Sequence, residues 1–96
     1  VANCRLSDAA EADLIKVAQF GDERFGVAQS DRYRNALERR FRLLAESPFL
    51  YPAISHIRPG YRRSVCGVHS IYYQIASKGV LIVRVLGRQD PTKALE

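Results

Sequence analysis

The sequence predicts an α+β domain in which an antiparallel helical hairpin packs on one face of an antiparallel sheet. Three observations predict it. Apolar residues recur at helical spacing through the first half of the chain, and the second half reads as short strands separated by glycine turns. Ser47-Pro48 divides the two regimes, because the residue before a proline is pushed out of helical geometry. Ninety-six residues suit one small domain, 1–96, able to support a single core.

The elements follow in order. Residues 2–6 form a short extended start. Ser7 can cap the helix that follows, with Asp8 and Glu11 favouring its positive end. Ala10, Leu14, Val17, Ala18, Gly21 and Phe25 form its apolar stripe, and Gly26 can end it in a left-handed conformation. A second helix fits residues 27–46, with Tyr33, Ala36, Leu37, Phe41 and Leu44 on one stripe. Its arginines read as solvated charges, since acids are interleaved among them. The tight connection at Gly26 implies the hairpin. Residues 49–57 are irregular but apolar for a loop, so they are expected to lie against the body, with His56 at the surface.

Three strands follow, at 61–66, 68–76 and 80–86. Tyr61, Arg63 and Val65 alternate with Arg62, Ser64 and Cys66. His69, Ile71, Tyr73 and Ile75 alternate with Ser70, Tyr72 and Gln74. Gly67 and Ser77-Lys78-Gly79 are turns, so the strands make a meander. Residues 80–86 are nearly all apolar, as in an interior strand, interrupted by Arg84. Asp90-Pro91 signals a short helical tail ending near Leu95.

Charge is unevenly placed. Through Glu46 the chain carries eight bases and eight acids, whereas residues 47–89 hold Arg58, Arg62, Arg63, Lys78, Arg84 and Arg88 and no acid. Such asymmetry suggests an acidic partner, nucleic acid or protein. No apolar run approaches the ~20 residues needed to span a bilayer, and the start has no signal-peptide pattern. Cys4 and Cys66 make neither a disulfide framework nor a zinc site and read as small buried residues in a reducing cytoplasm. No dinucleotide or P-loop motif is present, so no metal or cofactor is implied.

Residues 58–74, RPGYRRSVCGVHSIYYQ, concentrate the chemistry. Arg62, Arg63, Arg84, His69, Tyr72 and Tyr73 lie on adjacent strands. Arginines there can bind phosphate, and a histidine can move protons, as a metal-free ribonuclease requires. A Ser-His-acid triad cannot be argued, because the second half has no carboxylate before Asp90. Tyr73 and His69 also suit structural roles beside Ile71 and Ile75. Arg62 and Arg63, as neighbours, point to opposite faces. Arg84 needs a partner, from this chain or another.

The stretches RLSDAAEADLIKVAQFGDERFGVAQSDRY, IRPGYRRSVCGVHSIYYQI and IVRVLGRQDPTKAL together resemble the ParE toxins of bacterial toxin–antitoxin operons, within the RelE/ParE superfamily. The resemblance implies a non-catalytic toxin that inhibits DNA gyrase and blocks replication. It implies neutralisation by a ParD-like antitoxin, whose flexible segment wraps the toxin with apolar and acidic residues and whose amino-terminal part alone contacts operator DNA. Arg58, Tyr61, Arg62, Arg63, His69 and Arg84 are the expected contacts for antitoxin or target. RelE-like relatives instead cut messenger RNA on the ribosome, often with a carboxy-terminal tyrosine; no aromatic follows Tyr73 here. Gly87 stands where many ParE-like chains carry histidine, and the stretch it opens, GRQDP, is slightly shorter than theirs before the Asp. If the tail contributes to inhibition, its potency or target differs accordingly.

Overall fold

The computed structural model describes residues 3–87 and 90–95. The expected strand residue Ala2 and two residues of the GRQDP stretch, Arg88 and Gln89, lie outside the described residues. The elements run β1 (Cys4–Leu6), α1 (Asp8–Phe25), α2 (Val27–Glu46), β2 (Arg62–Cys66), β3 (His69–Ala76), β4 (Gly79–Leu86) and α3 (Pro91–Ala94). This is the predicted α+β arrangement, with strand limits within one residue of those read from the alternation in the meander.

Ser7 joins two elements. Its Oγ accepts from the Ala10 N–H at 3.0 Å, capping α1, and donates to the Val83 carbonyl at 2.6 Å. Gly26 separates the helices at φ 87°, a backbone conformation that a Cβ disfavours. The hairpin then closes tightly: a Cβ on Gly21 would stand 2.6 Å from Ser30 Oγ.

The sheet order is β1-β4-β3-β2. The meander is antiparallel, whereas β1 runs parallel to β4, pairing Cys4 with Val80 and Leu6 with Ile82. Burial of β4 between two neighbours explains its near-continuous apolar run. Register shifts between Tyr72, opposite Arg84, and Tyr73, opposite Ile82, so Val83 is an extra residue on β4.

Two clusters fill the two faces. Toward the helices, Ala10, Leu37, Phe41, Leu44, Cys66, Ile71, Tyr73, Val80, Ile82 and Val85 form the main core. On the reverse face, Ile54, Tyr72, Leu86 and Leu95 form a second cluster, flanked by Ile57, Tyr61, Val83 and Ala94. The connection between α2 and β2, together with α3, thus covers part of the face that the hairpin leaves bare.

Two expectations need correction. Phe25 was expected on the core stripe of α1, but it is 56% exposed and meets Phe20 edge to face at 6.3 Å. It is the last residue of its helix, where the stripe has run past the core. The loop 49–57 lies against the body only through its later residues: Ile54 is buried, while Phe49 is 71% exposed and Leu50 is exposed too.

Candidate functional site

The alternation of β2 sets where its arginines go. Arg62 shares the helix-facing side with buried Ser64 and Cys66 and stands opposite Tyr73. Its Nη1 donates to the Tyr51 carbonyl at 2.6 Å, and its guanidinium lies 5.0 Å from the centre of the Phe49 ring. Tyr73 is fully buried and donates its hydroxyl to the Pro48 carbonyl at 2.8 Å. Burial raises its pKa, and the Arg62 charge acts the other way. Arg63 points to the reverse face. Tyr61 packs on the second cluster there, with the Arg58 guanidinium 5.9 Å from its ring centre.

Arg40 of α2, absent from the sequence-based candidates, reaches the same edge as Arg62. Its Nη1 donates to Ser64 Oγ at 2.8 Å and to the Val65 carbonyl at 2.7 Å, and its guanidinium lies 5.3 Å from the Tyr51 ring centre. An arginine directly before the stripe residue Phe41 was the available signal.

The backbone does bring Arg63, Tyr72 and Arg84 into one cross-strand row. The side chains part company. Tyr72 is 3% exposed beneath the second cluster. Arg84 turns to α1, donating Nε to Asp13 Oδ2 at 2.8 Å and Nη2 to Asp13 Oδ1 at 2.9 Å, and it also donates Nη1 to the Ala94 carbonyl at 3.1 Å. The Val85 N–H completes the carboxylate's partners at 3.0 Å. The hydrogen bond to Asp13 raises the Arg84 pKa further. Arg84 therefore finds its partner within the chain. The sequence carried a signal for it: Asp13 falls three residues after Ala10 and four before Val17, on the apolar stripe of α1.

His69 lies apart from the arginines, at the tip of the hairpin. Its Nδ1 is 2.6 Å from Tyr33 Oη, which also accepts the Val68 N–H at 3.2 Å. Burial lowers the His69 pKa, partly offset by the Asp13 charge, so the imidazole is neutral at neutral pH. Tyr33 Oη gives its one hydrogen to the Cys66 carbonyl at 3.1 Å, so at the His69 contact it accepts, and the imidazole proton sits on Nδ1. Burial also raises the Tyr33 pKa. Both groups line a cavity of about 400 Å³ whose rim includes Phe20, Phe25, Val68 and Lys16.

The six expected contacts thus divide among four places: Arg62 at the β2 edge; Arg58, Tyr61 and Arg63 toward the reverse face; His69 at the cavity; and Arg84 between α1 and α3. Among the described residues, no group of three His, Cys, Asp or Glu side chains could hold a metal ion. The arrangement offers contact surfaces more readily than a convergent set of proton donors and acceptors.

Residues 4–91 match the sequence model of the family described as "ParE toxin of type II toxin-antitoxin system, parDE". The chain belongs to the ParE toxin family. It is 35% identical over 90 residues to Toxin ParE1 of Caulobacter vibrioides, covering 94% of this chain and 93% of that one. It is also 35% identical over 82 residues to Toxin ParE1 of Mycobacterium tuberculosis, covering 84% of each. Among solved structures it is similar in fold to a chain of the chromosomal ParDE system from P. aeruginosa, with a TM-score of 0.77, 15% identity, and coverage of 92% of this chain and 97% of that one. The ParE assignment agrees with the resemblance carried by the three sequence stretches. No helix among the described residues is long and apolar enough to cross a membrane.

Proposed function

We propose that this ParE-family toxin acts in the cytoplasm by binding DNA gyrase and blocking replication, and that a ParD-like antitoxin neutralises it by direct contact. The toxin is a binding protein in this reading, not a catalyst, and meets operator DNA only through the antitoxin. The observation that carries the proposal is a surface that leaves uncovered both an apolar rim around the cavity and, away from it, arginines without carboxylate partners. Phe20, Phe25, Val27 and Val68 are all exposed, the first two and Val68 around the cavity. Among the described residues the ion pairs are Asp31–Arg34 and Asp13–Arg84, which leaves Arg58, Arg62 and Arg63 without carboxylates. A partner carrying apolar and acidic residues complements both features.

Within this proposal Arg58, Tyr61, Arg62, Arg63 and His69 remain contact candidates. Arg84 contributes through its hold on Asp13 and α3. The test is to produce the toxin without antitoxin and assay gyrase supercoiling and ribosome-bound messenger cleavage separately. Loss of supercoiling with intact messenger is expected, restored by added antitoxin. Messenger cleavage with unaffected supercoiling refutes the reading and favours a RelE-like ribonuclease.

A further inference from the structure

One edge of the molecule alternates rings and guanidiniums. Phe49 faces Arg62; Arg62 donates to the Tyr51 carbonyl; the Tyr51 ring faces Arg40; and Arg40 is anchored on Ser64 and the Val65 carbonyl. Ser64 lies two residues from Arg62 on the same side of β2, so both arginines are fixed at one stretch of that edge strand, on either side of Tyr51. Neither has a carboxylate partner among the described residues. Each is held by oxygen acceptors that use only part of its five N–H groups, so oriented donors remain free. The outermost ring, Phe49, is 71% exposed, with Leu50 exposed beside it.

We infer that this edge, Phe49–Arg62–Tyr51–Arg40, is a binding site for single-stranded nucleic acid. The guanidiniums take backbone phosphates, and the open face of Phe49 takes a base. A polymer that alternates anionic groups with planar rings matches a surface that alternates fixed cations with planar rings. An acidic peptide would satisfy the arginines but would leave the exposed ring unused. The site does not depend on which target the toxin inhibits.

The test uses the full chain and fluorescence anisotropy of labelled 12-residue oligo(dT) and oligo(rU). Binding of either is expected, with log K falling against log salt at a slope of about −1.4 for two phosphate contacts to a single strand. Arg62→Gln should reduce that slope by about half. Phe49→Ala should weaken binding about tenfold while leaving the slope unchanged, as expected for lost stacking. Arg24→Gln, at the far tip of the hairpin, should change affinity less than Arg62→Gln. The exposure of Phe49 makes its variant safe for folding, and circular dichroism checks both site variants. The inference is overturned if the wild-type chain binds neither oligonucleotide, if Phe49→Ala and Arg62→Gln bind as wild type, or if Arg24→Gln matches Arg62→Gln. It is equally overturned if a duplex of the same length binds more tightly, or if poly-glutamate displaces the oligonucleotides at equal charge.

Discussion

Replacing Arg84 by alanine should destabilise the domain by about 3 kcal/mol, roughly the lower end of the range for removing one partner of a buried ion pair. Three hydrogen bonds are lost, two to Asp13 at 2.8 and 2.9 Å and one to the Ala94 carbonyl at 3.1 Å. What remains is worse than the loss itself: the Asp13 carboxylate, in a residue 8% exposed, keeps only the Val85 N–H. The Arg84 side chain retains 23% exposure, and water can partly replace it, which sets the value at the low end. Urea denaturation followed by circular dichroism measures the change, with the slope m unaltered. In thermal unfolding the same loss corresponds to a drop of roughly 12–24 °C for a domain this small. The double variant Asp13→Leu/Arg84→Met removes both charges, so it should recover at least about half of the loss. A single variant within about 0.5 kcal/mol of wild type would refute the reasoning, as would a double variant no more stable than Arg84→Ala.

Gly67→Ala should cost about 2 kcal/mol in the same denaturation assay, because the turn holds φ at 61° and a Cβ would meet the Tyr33 ring at 2.6 Å. His69 has a folded-state pKa below its unfolded value, so the unfolded chain binds its proton first as pH falls; stability is full above the unfolded pKa of about 6.5 and declines below it. Stability measured from pH 8 to pH 5 should therefore fall more steeply for wild type than for His69→Gln. Phe20→Ser and Phe25→Ser change exposed side chains, so each should leave stability within about 0.5 kcal/mol while weakening antitoxin binding by calorimetry roughly tenfold or more.

The helical hairpin and meander were legible because each has a period; the stripe of α2 and the alternation of β2 place their residues as expected, whereas in β3 Ile71 and Tyr73 are buried but Ile75, on the same face, is 38% exposed. What periodicity misses is where a partner surface stops. Phe25 continues the stripe of α1 by spacing, yet the core has ended before it. Tyr72 alternates with Ser70 and Gln74 like a solvent-facing residue, yet Ile54 and Leu95 arrive from distant parts of the chain to cover it. Both covering residues lie in short segments without a strong period. The extra residue at Val83 is silent in sequence because every residue near it except Arg84 is apolar. The site followed the same rule. Arg62 and Arg63 could be assigned to opposite faces from adjacency alone. The Asp13–Arg84 pair spans 71 residues, and only the coincidence of an acid on an apolar stripe with a base in an apolar strand pointed to it.

The parallel pairing of β1 with β4 also constrains the order of events during synthesis. Ser7 cannot engage Val83 until 76 further residues have been added, and β1 has no other strand to pair with in the finished sheet. At translation rates of about 5–20 residues per second, that interval lasts roughly 4–15 s. Throughout it the helical hairpin has its apolar stripe but lacks the completed sheet that will bury it. The main core therefore stays open until the last strand is made, and the surfaces of the finished toxin exist only after that interval.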